Sequence, residues 1–394
     1  MVRSSFTKAA AWLACGMTFA LAGAGFAATP KSAAPKAAIP TEEQAPIALM
    51  IDMSSGQTLY AREADRRFMP ASITKVMTTF LAFEWIQEGR LLPQQIMSVR
   101  PETFRKWSGV GSTMFLPHDA RLRADQLLHG ITTISANDAS VVLAEGAAGS
   151  TESWVAAMNA KAAAIGMRDS HFGTPNGWMD EGRTFTTARD LSVLARTMIG
   201  RHPKKYRHFI GAEGMEYNGI AQRNHDPISG VVDGADGIKT GFTNQAGYGF
   251  LGSAQRDGRR LVMVIAASPR GRDRRDASRA FIEWGFASFE SARLFGKGEQ
   301  VGEARVQDGD TSRIALVAPA PIRVSLPKGR AVDVDLAIRY EGPVRAPIAK
   351  GETIAELIVT IDGEVVNKVP LAAERAVDEA NPFRRVFHGI GRWL

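Results

Sequence analysis

The chain has 394 residues, of which 45% are hydrophobic and 23% are charged, and its formal net charge is +7. This length suffices for one full hydrophobic core and a second, smaller one, because single domains commonly contain about 100–200 residues. The modest positive charge suits an anionic surface or polymer. No arginine-rich arm or basic stripe with interleaved aromatic residues accompanies it, which argues against a nucleic-acid partner.

Residues 1–27 have the composition of a secretory signal peptide. Arg3 and Lys8 precede an apolar stretch that ends at Ala27, where we expect cleavage. An uncleaved membrane anchor is the alternative, because the stretch approaches spanning length, but its many Ala and Gly residues favour cleavage. The only cysteine, Cys15, lies in this segment. We therefore expect a protein that works outside the cytoplasm without disulfides or thiol catalysis.

A linker over 28–44, rich in Ala, Pro and Lys, leads into the main predicted domain, 45–296. Alternating apolar residues predict its strands, and apolar residues three and four positions apart predict its helices. The predicted strands are 46–53, 58–62, 248–255 and 260–267, and the predicted helices are 72–88, 124–148 with an interruption near 135–138, 152–165, 187–199 and 273–291. Strands at both ends with helices between them indicate an α/β fold with a mostly antiparallel sheet.

The pattern changes after about residue 297. Short alternating stretches separated by Gly, Pro and Asp predict a small all-β domain over 297–372. The predicted strands are 313–317, 322–325, 332–338, 353–361 and 365–369.

The last segment, 373–394, is predicted to be a linker followed by an amphipathic helix. From Pro382 onward, aromatic and aliphatic residues recur at spacings of three and four, and Arg384, Arg385 and Arg392 occupy other positions. Such a helix suits an anionic membrane surface, although Gly389 and its neighbour Gly391 weaken it. The alternative is a terminal helix packed on the β domain.

Ser72 and Lys75 combine a hydroxyl nucleophile with an amine about one helical turn away. A serine hydroxyl must lose its proton as it attacks, so it needs a base beside it. If Ser72 begins the predicted helix, the Lys75 amine can reach its oxygen. The amine acts as a base only if burial or another positive charge, such as Lys239, lowers its pKa. The helix N-terminus would also favour negative charge at Ser72 and help to form an oxyanion hole.

Ser135 and Asn137 lie two residues apart at the predicted helix interruption, so both side chains can point into one cleft. The hydroxyl can pass a proton to a leaving amine, and the amide can hold both the lysine and a substrate carbonyl. A third element, Lys239-Thr240-Gly241, is predicted on a strand at the cleft edge. Its lysine and threonine suit a terminal carboxylate, and its glycine lets an extended peptide approach the backbone.

None of these elements is specific alone, since Ser5 and Lys8 in the signal segment have the same spacing as Ser72 and Lys75. All three in this order, on suitable predicted elements, indicate a serine acyl-transfer site that uses no histidine. The seven histidines show no metal-ligand spacing, so we expect neither a metal nor another cofactor.

The three elements resemble the motifs of the low-molecular-mass penicillin-binding proteins, specifically the D-alanyl-D-alanine carboxypeptidases, which have a β-lactamase/transpeptidase-like fold. The predicted β domain and amphipathic tail also match that family's plan, so the resemblance extends from about residue 45 to 394. The segments that carry it are 70–75, 135–139 and 236–241, with His171-Phe172 and Asn176-Gly177 in the loop between the last two.

The resemblance implies an acyl-enzyme on Ser72 with Lys75 as general base, and proton relay and positioning by Ser135 and Asn137. It implies further that Lys239, Thr240 and Gly241 bind the terminal D-alanine, and that the backbone N–H groups of Ser72 and Phe242 form the oxyanion hole. Family members often carry histidine at the position of Phe242, so we expect the pH dependence and leaving-group contacts of this chain to differ from theirs. Its implied partners are peptidoglycan stem peptides, β-lactam antibiotics as covalent inhibitors, and the outer face of the inner membrane, within the periplasm.

The sequence also bears on three other functions. A class A β-lactamase needs a glutamate beyond the second motif, but the stretch 168–174 contains none. A D,D-endopeptidase that cuts crosslinks would use the same residues and stays open. A non-catalytic wall-binding scaffold would be expected to lack Ser72 or Lys75. The arginines at 270, 272, 274 and 275 are interpreted as a solvated helix start, from which one side chain could reach a substrate carboxylate.

Overall fold

The computed structural model describes residues 36–380. The predicted signal peptide, the first part of the linker and the predicted helix after residue 380 lie outside the described residues. Within 36–380, no helix is both long and apolar enough to cross a bilayer.

The first part of the fold contains nine strands and eight helices within the described residues. The strands are β1 (Ile47–Asp52), β2 (Thr58–Arg62), β3 (Ile96–Ser98), β4 (Arg121–Arg123), β5 (Gly214–Tyr217), β6 (Ile220–Arg223), β7 (Ala235–Thr243), β8 (Gly247–Arg256) and β9 (Arg259–Ser268). The helices are α1 (Lys75–Gln87), α2 (Pro101–Trp107), α3 (Ala124–Thr133), α4 (Asn137–Ala148), α5 (Thr151–Ala164), α6 (Ala188–Arg201), α7 (Pro203–Phe209) and α8 (Gly271–Ser288).

A five-stranded antiparallel sheet, in the order β2-β1-β9-β8-β7, has α8 on one face and the helices of the larger core on the other. Successive side chains of a strand point to opposite faces, and β1 is buried throughout. Its residues Ile47, Leu49 and Ile51 therefore pack in the core that contains α1, whereas Ala48 and Met50 pack against α8. This arrangement leaves β7 as the outermost strand on one side of the sheet.

Helix α1 is the central element of the larger core. Its residues from Lys75 to Trp85 are all buried, because α3, α5 and α6 pack around it. A helix that is buried on every side needs apolar or fully hydrogen-bonded side chains all round. Lys75 is thus a cationic residue placed at the start of a core helix.

The second part of the fold is all-β, with strands β10 (Phe289–Phe295), β11 (Gln300–Gln307), β12 (Arg313–Val317), β13 (Ile322–Pro327), β14 (Val334–Arg339), β15 (Val344–Arg345), β16 (Thr353–Ile361) and β17 (Glu364–Ala373). Six strands form one sheet, in the order β14-β16-β17-β12-β11-β15, and β10 pairs with β13. Alternating residues of these strands, such as Ala355, Leu357 and Val359, form a separate hydrophobic core.

A buried polar network joins the two parts. Asp52, at the end of β1, is fully buried, and its Oδ2 atom accepts hydrogen bonds from Arg259 Nε at 2.6 Å and Ser325 Oγ at 2.8 Å. Ser325 lies in β13, and its hydroxyl is also 2.8 Å from that of Ser55. Since a buried carboxylate is costly unless it is paired, this network favours one arrangement of the two parts.

The predicted fold class is confirmed: a mostly antiparallel sheet flanked by helices precedes an all-β part. The sequence analysis missed β10 and β11, and it extended the last helix to residue 291, whereas α8 ends at Ser288. Phe289 is already extended, because it pairs with Pro327 in β13. This long-range pairing overrides the local helical pattern. The domain boundary between 296 and 297 stays a prediction.

Candidate active site

Ser72 lies in a single 3₁₀ turn, Ala71–Thr74, directly before α1, and is half-buried at the cleft surface. The turn differs from the predicted regular helix start, because Ala71 has a φ of +48°. Two glycines allow its close packing. A Cβ atom at Gly177 would overlap the Ala71 carbonyl oxygen, and one at Gly241 would overlap the carbonyl oxygen of Pro70. The nucleophile is therefore held by backbone contacts from two other segments.

Lys75 is fully buried, and its Nζ atom has three hydrogen-bond partners. It lies 2.9 Å from Ser72 Oγ, 2.8 Å from Asn137 Oδ1 and 2.7 Å from the backbone oxygen of Asn176. A neutral amine keeps two protons and a lone pair, so it can donate to the two asparagine oxygens while it accepts from the serine. This geometry suits a base that takes the proton of Ser72.

The environment of Lys75 favours this neutral form. Burial lowers the pKa of Lys75 well below its usual 10.5, and the positive charge of Lys239 lowers it further. The carboxylate of Asp138 acts in the opposite direction. Lys75 is thus able to act as a base at a lower pH than a solvated lysine.

Ser135 lies between α3 and α4, Asn137 is the first residue of α4, and both are almost fully buried. Ser135 has a φ of +65°, so the chain turns sharply there. Asn137 is held from the other side, because its Nδ2 atom donates to the Val110 carbonyl at 2.9 Å and its backbone N–H donates to the Ser112 carbonyl at 2.7 Å. The segment 108–116 thus fixes the amide that contacts Lys75.

Asp138 stabilises that segment. Its carboxylate is buried and accepts hydrogen bonds from the backbone N–H groups of Met114 at 3.0 Å and Leu116 at 3.1 Å. Burial raises the pKa of Asp138. Asp138 was included in the second sequence motif, but no role was predicted for it. The segment that it holds, 108–116, contains no sequence motif.

Lys239, Thr240 and Gly241 lie on β7 at the side of the sheet that faces the cleft. Lys239 is buried, and burial together with the positive charge of Arg274 lowers its pKa to about 7. The Thr240 side chain lines the cleft. Below pH 7 this strand therefore presents a positive charge beside a hydroxyl, which suits an anionic group.

The cleft has a volume of about 530 Å³. The predicted site residues line it except for the two lysines, Lys75 and Lys239, which are buried. Sequence analysis missed Trp178 and His225, which also line it. No group of three or more His, Cys, Asp or Glu side chains that could hold a metal ion occurs within 36–380.

Arg274 is the member of the arginine cluster that reaches the cleft. Three of the four clustered arginines are exposed, as a solvated helix start predicts, but Arg274 lines the cleft. Its buried Nε atom has no hydrogen-bond partner among the described residues. Helical geometry explains the difference, because only one of these positions on α8 turns toward β7 and β8.

The family model for D-alanyl-D-alanine carboxypeptidase matches residues 32–269 of this chain. The chain belongs to this family. A second model, for the C-terminal domain of penicillin-binding protein 5, matches residues 289–379. The family and the enzyme class predicted from the three motifs, serine-type D-alanyl-D-alanine carboxypeptidases, are thereby confirmed.

Individual carboxypeptidases are similar over most of the chain. D-alanyl-D-alanine carboxypeptidase DacD of Escherichia coli (strain K12) is 30% identical over 352 residues, covering 88% of this chain and 90% of its own. DacA of Haemophilus influenzae is 29% identical over 344 residues, which is 86% of each chain. The crystal structure of penicillin-binding protein 5 from Haemophilus influenzae matches with a TM-score of 0.78 and 28% identity, covering 87% of this chain and 100% of that one.

Proposed function

We propose that this protein removes the terminal D-alanine from peptidoglycan pentapeptides through an acyl-enzyme on Ser72. The observation that carries the proposal is the 2.9 Å contact between Lys75 Nζ and Ser72 Oγ, made by a lysine that is fully buried. Membership of the carboxypeptidase family supports the choice of substrate. In this role the protein would contribute to cell-wall maturation and cell shape.

In the first step, Ser72 Oγ attacks the carbonyl carbon of the penultimate D-alanine, and its proton passes to Lys75 Nζ. The developing oxyanion accepts hydrogen bonds from the backbone N–H groups of Ser72 and Phe242. Asn137 keeps the amine of Lys75 oriented, because its Oδ1 atom accepts a hydrogen bond from Nζ at 2.8 Å.

The peptide C–N bond then breaks, and the leaving nitrogen takes the proton from Lys75 through Ser135, which lines the cleft, so that Lys75 is neutral again. D-alanine departs and leaves an ester on Ser72. A water molecule, deprotonated by Lys75, hydrolyses the ester and regenerates the serine. Until D-alanine departs, Lys239 and Thr240 hold its carboxylate, while Gly241 admits the peptide backbone beside β7.

Arg274 is a further group for this carboxylate. It lines the cleft, its positive charge contributes to the lowered pKa of Lys239, and its buried Nε atom is unpartnered among residues 36–380. A guanidinium can bind a carboxylate with two parallel hydrogen bonds. The same residues would accept a β-lactam, whose strained amide would acylate Ser72 and whose carboxylate would replace that of D-alanine.

Release of D-alanine from a soluble pentapeptide is the assay for this function. We expect the native protein to release one D-alanine per pentapeptide, and Ser72→Ala to release none, because only the hydroxyl can form the ester. Cleavage of a crosslinked dimer without release from the pentapeptide would instead establish the D,D-endopeptidase. Equal activity of the Ser72→Ala variant would contradict both.

We further propose that the protein works in the periplasm and associates with the outer face of the inner membrane through residues 381–394. The cationic and aromatic pattern of that segment supports this proposal. Deletion of 381–394 should move the protein from the membrane pellet to the soluble fraction without changing its activity on a soluble peptide. Unchanged fractionation of the truncated protein would refute the membrane anchor.

A further inference from the structure

One wall of the cleft carries a pair of aromatic side chains that have no role in the proposed mechanism. Phe242 on β7 lies directly opposite Tyr248 on β8. Their rings are stacked, with centroids 4.1 Å apart and an interplanar angle of 23°. Both residues line the cleft, and Phe242 is 45% exposed. A stacked pair with this much open apolar surface is available to a ligand.

The pair lies beside the groups assigned to the substrate carboxylate. Thr240 and Phe242 are two residues apart on one strand, so their side chains lie on the same face of β7. The guanidinium of Arg274 lies over the Tyr248 ring, 5.5 Å from its centroid. The carboxylate and the side chain of a terminal residue share one Cα atom. A carboxylate bound by Thr240 and Arg274 therefore keeps that side chain within reach of the aromatic pair.

The pair is also held in place from behind. Gly271, the first residue of α8, packs against the Tyr248 ring, and a Cβ atom there would lie 3.2 Å from it. Tyr248 is thus confined between α8, Arg274 and Phe242. A fixed ring loses little conformational entropy when a ligand covers it, which favours binding.

We propose that Phe242 and Tyr248 form an apolar shelf beside the side chain of the terminal D-residue, and that it favours apolar side chains over polar side chains of similar size. This inference rests on the proposed carboxypeptidase function. A hydrophobic pocket discriminates roughly tenfold or more for a methylene group. Because the shelf is open on one side, we expect it to change substrate preference by less than an enclosed pocket would.

The test uses three N-acylated peptides that end in D-Ala-D-Ala, D-Ala-D-Leu or D-Ala-D-Asn. D-Leu and D-Asn have similar sizes but opposite polarity, so the ratio of their kcat/KM values measures the apolar contact. We expect this ratio to fall about fivefold in Phe242→Ala and in Tyr248→Ala. The ratio compares two substrates on one protein sample, so partial loss of folded protein does not affect it. Phe185→Ala is the matched control, because Phe185 is stacked on His171 outside the cleft, and its ratio should be unchanged.

A ratio that stays within twofold of the native value in both shelf variants overturns the shelf. A rise in the ratio also overturns it, because the native pair would then disfavour the apolar side chain relative to the polar one. Release of D-alanine with an unchanged ratio overturns the shelf alone. No release from any of the three peptides overturns the proposed function, together with the shelf that rests on it.

Discussion

Replacing Lys75 with methionine is expected to slow acylation of Ser72 by a labelled penicillin about a thousandfold, which corresponds to about 4 kcal/mol in the activation free energy. Methionine has a similar length and removes only the amine, so Ser72 keeps its position but has no base within reach. The three hydrogen bonds of Lys75 Nζ are lost with the amine. Stopped-flow or gel-based measurement of adduct formation gives the rate, and circular dichroism verifies the fold.

Two comparisons make this result specific. Lys205→Met removes a lysine that donates to Gln87 at the surface, and it should acylate at the native rate. The native rate should also rise with pH as Lys75 loses its proton, below its usual pKa of 10.5, whereas the Lys75→Met rate should lack that rise. Acylation of Lys75→Met within tenfold of the native rate would rule out Lys75 as the base.

Gly177→Ala should both destabilise the fold and slow acylation. Gly177 has a φ of +72°, and an added Cβ would overlap the Ala71 carbonyl oxygen and lie 2.7 Å from Thr74 Oγ1. The strained φ costs about 1 kcal/mol and the displaced turn about 2 kcal/mol more. Since a misplacement of about 1 Å can cost a hundredfold in rate, we expect acylation to fall about that much. Urea unfolding and adduct formation measure the two effects.

Gly182→Ala is a control that adds backbone strain without steric overlap of the new Cβ atom. Gly182 lies in the same loop and has a φ of +82°, but no atom lies within 4 Å of an added Cβ. This variant should lose only about 1 kcal/mol of stability and keep the native acylation rate. If Gly177→Ala behaved like Gly182→Ala, packing of this loop would not position Ser72.

The main elements of the fold are predictable because their patterns are local. β1 and β9 are apolar runs, and both predicted halves of the 124–148 helix occur as α3 and α4. The strand β10 is not predictable in this way. It follows α8 without a glycine or proline, and only its pairing with β13 makes it a strand. The small hairpin of β5 and β6 was missed for a different reason. Its Asn218-Gly219 turn is a local signal, but its strands have only four residues each.

The site residues likewise fall into those that local sequence predicts and those that depend on tertiary packing. Side chains with distinctive chemistry, such as Ser72 and Lys75, were found from spacing, and the structure places them in hydrogen-bond contact. The third partner of Lys75 is the backbone carbonyl oxygen of Asn176. Asn176-Gly177 was noted as part of the resemblance, but a backbone carbonyl occurs at every residue, so its contact with Lys75 was not predicted. The sequence analysis expected that one of the four clustered arginines could reach a substrate carboxylate, but it could not identify Arg274, because the orientation of each side chain depends on how α8 packs on the sheet.

Covalent labelling at Ser72 tests the central claim most directly. The native protein, incubated with a penicillin and digested, should yield one peptide that contains Ser72 and is heavier by the mass of the whole antibiotic, because ring opening adds the entire molecule. Ser72→Ala should yield no such peptide. A native protein that forms no adduct, or a Ser72→Ala variant that forms one, would contradict the assignment of Ser72 as the acylated residue.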